Sequence, residues 1–372
     1  MTIPYSKQTI TQSDTKMLMR VLQSDWLTTG PMVDQFERSV ALYVGAKYAV
    51  AVANGTAALH LACLAAEVGP GDEVIVPAYS FVASANCALY CGGKPVLVDI
   101  DEPSLCIDVK QVEKKINKRT KVIMGVDWGG RAADWQSLRQ LAKKYNLLLI
   151  DDAAHSFGAE YRGKKIGTQA DITCFSFHPV KTITTGEGGM IMTNSKRWYQ
   201  RAMVLRTHGI AKLFESQPWY YEMRYLGYNY RLTDLQSALG LAQLKRAEKF
   251  LGRRRGLARR YNQKLANLPN LILPQWDQTS AWHLYPLRID FKALRKTRVQ
   301  LFALMQRQGI NLQVHYIPIH LQPYYQKNLG YKKGDFPVAE TVYGQEVSLP
   351  LYPTLTYREQ DRVIELVKQF VG

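Results

Sequence analysis

Short apolar runs rich in β-branched residues recur through the first half of the chain, and the stretches between them carry apolar residues at helical spacing. Tyr48–Ala53, Glu73–Ala78, Lys94–Ile100, Lys121–Val126, Leu147–Asp152, Ile172–Phe177 and Gly188–Thr193 read as strands. Thr56–Ala66, Ala83–Tyr90, Val109–Ile116 and Trp135–Tyr145 read as helices among them. This alternation predicts an α/β fold with a mostly parallel sheet covered by helices on both faces. From Thr233 onward the pattern changes to one long amphipathic helix, Asp234 to about Leu265, followed at Asn270–Pro274 by a loop entering a short strand. Strands at Leu284–Asp290 and Leu312–Tyr316, with helices at Thr297–Gln308 and Tyr357–Phe370, predict a compact α+β unit behind it. The expected division is a large domain over residues 1–245 and a smaller C-terminal domain over 246–372, without internal repeats.

At 372 residues the chain has room for both units and a substantial core. No apolar run reaches the roughly 18 residues of a membrane span. The opening Met1-Thr-Ile-Pro-Tyr-Ser lacks a basic region followed by a long apolar one, so a cytoplasmic location without membrane association is expected. Cys63, Cys87, Cys91, Cys106 and Cys174 are odd in number, lie in apolar segments and form no C-x-x-C pair, as expected of reduced core thiols. The formal charge of +17 and the basic run from Arg253 to Arg260 raise the question of nucleic acid. No recognition-helix, finger or RNP-like motif accompanies that charge, and the run reads as the solvated face of a long helix. No nucleic-acid partner is expected. The same charge would attract a dianionic nucleotide diphosphate.

Candidate chemistry gathers where strands end. Ser176-Phe-His-Pro-Val-Lys181 leads from an apolar strand into Thr-Ile-Thr-Thr-Gly-Glu-Gly-Gly189, placing one lysine before a glycine-rich turn. Leu147–Asp152 ends in two carboxylates, as a buried strand would deliver an acid to the carboxyl edge of a sheet. A lysine able to form a Schiff base and an aspartate able to hold a pyridinium nitrogen are what pyridoxal phosphate (PLP) requires of a protein. Asp152 is the candidate for that nitrogen and Asp151 for capping the next helix. Asn54-Gly-Thr-Ala57 follows the first strand and opens a helix, so the Thr56 and Ala57 amides and the Thr56 hydroxyl can hold a phosphate, or the turn is a helix cap alone. Ser176 can add a hydroxyl to such a phosphate. Phe81 lies where a ring could stack on a flat cofactor or enter the core. His155 could reach the cofactor's phenolate oxygen or serve structure.

This constellation resembles the sugar-nucleotide aminotransferases of the DegT/DnrJ/EryC1/StrS family, which are fold type I PLP enzymes, from Tyr5 to about Pro353. The resemblance implies that Lys181 binds the cofactor as a Schiff base and acts as general acid and base, that Asp152 holds the pyridinium, and that Thr56, Ala57 and Ser176 hold the phosphate. It implies Phe81 as the stacking ring and no metal. The segment Gly227–Ala238 is similar to the family's dimer motif, in which Asn229 would reach the cofactor phosphate in the neighbouring subunit's site of a homodimer. Some members carry histidine in place of the lysine and are dehydratases; lysine here implies transamination.

Ile3–Ser6, Ser24–Thr28, Val126–Gly130, His208-Gly209 and Gln313–Pro318 resemble the members of the pseudaminic-acid pathway. That resemblance implies substrate contacts at Tyr5, Asp25, Trp26, Leu27, Thr28, His315, Tyr316, Ile317 and Pro318. It also implies a UDP-4-keto-6-deoxy-N-acetylhexosamine as amine acceptor and L-glutamate as donor. Trp26, Trp128 and the aromatic stretch Gln217–Tyr221 depart from the pattern and would reshape the sugar pocket. The alternatives are a UDP-4-keto-pentose acceptor, as in lipid A modification, another nucleotide-ketosugar, or a PLP-fold protein that binds a nucleotide sugar without turnover.

Overall fold

A seven-stranded sheet forms the centre of the molecule. Its strands are β1 (Tyr48–Val52), β2 (Glu73–Pro77), β3 (Lys94–Val98), β4 (Thr120–Val126), β5 (Leu148–Asp152), β6 (Ile172–Ser176) and β7 (Gly189–Thr193). The computed structural model describes residues 2–211, 217 and 219–372, so Met1 at the opening and Pro218 in the aromatic stretch lie outside the described residues. Across the sheet the order is β1-β7-β6-β5-β4-β2-β3. β7 runs antiparallel to both β1 and β6, and the remaining neighbours pair in parallel. Helices Gly55–Ala65, Ala83–Tyr90, Val109–Lys115 and Trp135–Tyr145 connect or cover these strands. Strands buried on both faces read as continuous apolar runs, which is why the seven strands and the four helices among them are predicted within a residue or two at each boundary, whereas the helices Gln12–Leu22, Pro31–Val44 and Lys196–Leu205 lie outside the prediction.

The C-terminal part differs from expectation in two places. The long helix is broken at Lys245 and Arg246, giving Asp234–Leu244 and Ala247–Leu265. Arg246 leaves helical geometry while its guanidinium grips the fully buried Asp14 of the N-terminal helix Gln12–Leu22, and Gln243 Nε2 reaches Thr9 O at 3.0 Å. The break is therefore fixed by tertiary contacts that helical periodicity cannot register. Leu312–Tyr316 is not a strand. Gln313 pairs with Ser348 only as an isolated bridge, and the amide of His315 donates to the side chain of Glu346 at 2.9 Å. The strand that completes the small sheet is β10 (Glu346–Leu349), which pairs antiparallel with the central β9 (Tyr285–Ile289), as β8 (Leu271–Ile272) does on the other side.

Two apolar clusters fill the interior. One surrounds the seven-stranded sheet; the other gathers Tyr261, Leu287, Leu301 and Val367 of the C-terminal part. Ile3 joins the second cluster, exchanging backbone hydrogen bonds with Gly309 and Asn311, so the N-terminus packs with the C-terminal half. Helix Ala247–Leu265 contributes Phe250 and Leu251 to the first cluster and Leu257 and Tyr261 to the second.

The basic run lies on that helix, and much of it faces inward rather than forming a solvated face. Arg253 donates to Leu355 O at 2.6 Å and lies 4.4 Å from the centroid of the Tyr357 ring. Arg255 donates to Ser280 O, and Arg260 pairs with Asp361 at 2.6 Å. Arg254 is 1% exposed and donates to the carbonyls of His283, Leu351 and Val180.

Candidate active site

The carboxyl ends of β5 and β6 and the turn after β1 open into a cleft of about 610 Å³. Tyr5, Thr56, Phe81, Asp152, His155, Ser176, Lys181, His315 and Tyr316 line it, drawn from segments far apart in the chain. Ligand sites in open α/β sheets form at this edge because the loops leaving parallel strands diverge there.

Asp152 ends β5 and is held from two sides. Its Oδ2 accepts from Ser84 Oγ at 2.6 Å and its Oδ1 from the Ala154 amide at 3.2 Å. Burial raises its pKa, while the Ser84 and Ala154 hydrogen bonds and the nearby Lys181 charge pull it down. Asp151 does not cap a helix. The pleat turns it to the opposite face, where it is fully buried against Thr173, one carboxyl oxygen lacks a partner and burial drives its pKa well up.

Lys181 follows β6 in a tight turn, its amide bonded to His178 O at 2.9 Å. Its Nζ makes no hydrogen bond or ion pair among the described residues. Desolvation lowers its pKa to about 8, Asp152 opposing that shift and the Arg254 cation adding to it. A primary amine so placed is a usable nucleophile near neutral pH.

The turn after β1 forms an anion cradle. Asn54 caps helix Gly55–Ala65 by accepting from the Ala57 amide at 2.8 Å. The Ala57 amide is thus occupied, which leaves the Gly55 and Thr56 amides at the positive end of the helix, where no intrahelical carbonyl reaches them. Ser176 stands against this turn so closely that a Cβ on Gly55 would lie 2.8 Å from Ser176 Cβ. Gly189 must also lack a side chain, since its Cβ would meet Asn54 O at 2.4 Å.

Phe81 is 52% exposed, its ring at the cleft and 5.7 Å from that of Tyr316. His155 has both nitrogens engaged: Nδ1 accepts from the Gly129 amide at 3.2 Å and Nε2 lies 3.0 Å from Tyr316 Oη. That pairing fixes the neutral tautomer with the proton on Nε2, and burial drives its pKa well below the usual range. His283 packs beside it with ring centroids 4.4 Å apart.

Other expected residues lie elsewhere in the chain. Asp25, Trp26, Leu27 and Thr28 form an exposed turn against the start of helix Asp234–Leu244, where Asp234 N donates to Leu27 O at 3.1 Å. Asn229 is exposed and does not line the cleft. Ile317 is exposed and Pro318 buried beside it, and the Ile319 amide anchors this segment to Ala78 O at 2.8 Å. Trp128 is buried and stacks on Tyr79 rather than facing the cleft. Ser84, His283 and the individual role of Arg254 within the basic run are marked by no motif. Asn54 does carry a sequence signal, as a capping residue before Gly-Thr.

These groups fit PLP: an unpaired, desolvated amine for its aldehyde, a strand-end carboxylate for its ring nitrogen, and a glycine-backed helix terminus with two hydroxyls for its phosphate. Comparison with known proteins points the same way. A model of the DegT/DnrJ/EryC1/StrS aminotransferase family matches residues 8–368. The spore coat polysaccharide biosynthesis protein SpsC of Bacillus subtilis is 41% identical over 377 residues, covering 99% of this chain and 97% of the relative. Helicobacter pylori PseC, an aminotransferase involved in the biosynthesis of pseudoaminic acid, superposes with a TM-score of 0.94 at 32% identity, covering 100% of this chain and 99% of that one. The Streptococcus pneumoniae protein Spr1654 in its PLP form gives a TM-score of 0.93 at 33% identity, covering 100% and 99%.

Proposed function

The chain belongs to the DegT/DnrJ/EryC1/StrS aminotransferase family, and from that premise we propose that it moves the amine of L-glutamate to C4 of a UDP-4-keto-6-deoxy-N-acetylhexosamine. It is a PLP-dependent sugar aminotransferase of fold type I. The observation that carries transamination is the unpaired Lys181 amine in one cleft with the strand-end Asp152 carboxylate. The full-length likeness to PseC supports the choice of sugar.

When bound, PLP supplies an aldehyde that condenses with primary amines and a ring that accepts the electron pair released at a carbon next to nitrogen. Lys181 would anchor that aldehyde. Once displaced by the donor amine, its Nζ would take the proton from the donor's α-carbon, and it would return a proton to the sugar's C4 in the second half-reaction. Asp152 would keep the ring nitrogen protonated, as an opposite charge at close range does. Thr56, Ser176 and the free amides of the helix terminus would hold the phosphate, with the Ala57 amide lying behind them on its cap. Phe81 would cover one face of the ring, and His155, held by the Gly129 amide and Tyr316, would stand at the side of the ring's phenolate oxygen.

Asn229 and the Asp25–Thr28 turn, exposed and outside this protomer's cleft, suit a homodimer in which each chain completes the other's site. The substrate contacts then come from Tyr5, His315 and Tyr316 of one protomer and the Asp25–Thr28 turn of its partner. The break at Lys245–Arg246 supports the division into 1–245 and 246–372, with the first residues packed on the second unit. Five free cysteines, four of them buried, suit a cytoplasmic location. The name of SpsC supports a product destined for a surface polysaccharide.

A panel of ketosugars with glutamate, scored by kcat/KM, tests the reading. Aromatic and histidine side chains at the sugar end of the cleft favour a 6-deoxy edge, so the UDP-linked 6-deoxy ketosugar should exceed UDP-4-keto-arabinose by about 10- to 200-fold. Equal or better use of the pentose would move the assignment to the lipid A branch. No turnover of any ketosugar by the PLP-loaded protein would favour nucleotide-sugar binding without catalysis.

A further inference from the structure

The fully buried Glu346 lies behind the cleft wall at the start of β10, where its two carboxyl oxygens meet His315 and Ser348. Oε2 accepts from the His315 amide at 2.9 Å, and Oε1 lies 2.5 Å from Ser348 Oγ. Ser348 Oγ lies in turn 2.8 Å from His315 Nδ1. Nε2 of the same ring has no partner among the described residues, and His315 lines the cleft beside Tyr5, ring centroids 5.5 Å apart. A carboxyl, a hydroxyl and an imidazole are thus joined in a line that ends at the sugar side of the cavity.

A serine hydroxyl has one proton, so the line has two self-consistent arrangements. With Glu346 ionised, Ser348 donates to Glu346, His315 must carry its proton on Nδ1, and Nε2 faces the cleft as a bare acceptor. With Glu346 neutral, its hydroxyl donates to Ser348, Ser348 donates to Nδ1, and the His315 proton sits on Nε2, facing the cleft as a donor. Among the described residues no cation forms an ion pair with Glu346, although the nearby Arg298 charge draws its pKa down. Arg298, on the neighbouring helix Arg298–Arg307, gives its Nη1 to the carbonyls of Tyr343 and Glu346, and Arg288, the register partner of Glu346 on β9, binds Glu102 and Gln345. Tyr79 and Tyr316 are the titratable groups on the cleft side, and the Lys181 charge acts on His315. Burial disfavours the charged form of a carboxyl that has no ion-pair partner.

We propose that Glu346 is a positioning residue that, through Ser348, holds His315 as the Nε2–H tautomer and so makes it a hydrogen-bond donor to an oxygen of the ketosugar. The inference rests on the sugar-aminotransferase reading and adds to it the group that orients His315. Burial pushes the Glu346 pKa up to about 8, and the same burial lowers that of His315 to about 3. The imidazole therefore stays neutral across the working range, and the ionisation that matters is that of Glu346. As pH rises through about 8, Glu346 loses its proton, Ser348 turns to it, and the cleft loses a donor.

The test uses the holoenzyme and separates its two half-reactions. Ser348→Ala should raise the KM for the ketosugar by about 3- to 10-fold, the size of one hydrogen bond, while the glutamate half-reaction, followed by the change in cofactor absorbance, keeps its rate. Glu346→Gln can accept from the His315 amide through its oxygen and donate to Ser348 through its nitrogen, which imitates the neutral acid. It should abolish the rise in ketosugar KM above pH 8 that is expected of the wild type. Nitrogen-15 NMR of the histidines, read without turnover, should find His315 protonated on Nε2 at pH 7, with the pattern lost in Ser348→Ala. A wild-type His315 protonated on Nδ1 at pH 7, or the same alkaline rise in Glu346→Gln as in the wild type, would overturn the proposal. A correct tautomer in a protein that aminates no ketosugar would leave the arrangement standing and remove the sugar reading instead.

Discussion

Asp152→Asn removes one charge from the site and almost no volume. The wild-type carboxylate takes Ser84 Oγ on Oδ2 and the Ala154 amide on Oδ1. An asparagine can accept on only one side, so either Ser84 or Ala154 then faces an NH₂ group. The larger effect is electrostatic. An opposite charge at close range shifts a pKa by about 1–3 units, and each unit corresponds to about 1.36 kcal/mol. If that preference for a protonated ring nitrogen is expressed in the transition state, kcat should fall by about 10- to 1000-fold. The glutamate half-reaction, measured by stopped-flow absorbance and normalised to bound cofactor, reads this directly. A second readout needs no cofactor. Asp152 is the charge that holds the Lys181 pKa up against burial, so in the cofactor-free variant the amine should titrate below its wild-type value of about 8, as followed by NMR of reductively methylated lysine. Ser84→Ala removes only the hydroxyl donor and should give a smaller loss, with the acid limb of the rate profile moved upward because the ionised form of Asp152 has lost a hydrogen bond. A half-reaction rate in Asp152→Asn within twofold of wild type would refute the reasoning and move the ring-nitrogen role elsewhere.

Borohydride should fix the cofactor to Lys181 in the wild-type protein and leave Lys181→Ala unlabelled, as peptide mass spectrometry would show; labelling of another lysine with retained turnover contradicts the anchor. Gly55→Ala must displace Ser176 from the anion cradle, so its Kd for PLP, measured by fluorescence titration, should rise about 10-fold or more, the size of a hydrogen bond to a charged group. Mixing Lys181→Ala with Asn229→Ala should restore part of the activity, because the heterodimer then has one site with both residues intact. A fully active monomer in sedimentation would exclude the shared site.

Sequence pattern reaches furthest where burial is symmetric. β1 to β7 lie in one buried sheet, so their apolar runs and the polar residues ending them, Asp152 and Ser176, can be read from composition and order alone. The pattern fails where a neighbour distant in sequence decides the outcome. Arg246 leaves the helix to meet Asp14, and Leu312–Tyr316 turns away from pairing because Glu346 takes the His315 amide. Ser84 and His283 carry no motif of their own and gain meaning only from what the fold sets beside them. Asp151 and Asp152 are indistinguishable as adjacent letters. The pleat separates them, sending one to the cleft and the other to a dry interior.

Arg254 sets a schedule for the making of the site. Its guanidinium gathers carbonyls from Val180, beside the reactive lysine, from His283 and from Leu351. A ribosome emits these segments in order, and the sheet that carries Lys181 is complete long before Leu351 appears. Until then the lysine turn lacks the clasp that ties it to the second core. The Lys181 turn therefore cannot hold all of its final contacts until the chain has been made as far as Leu351.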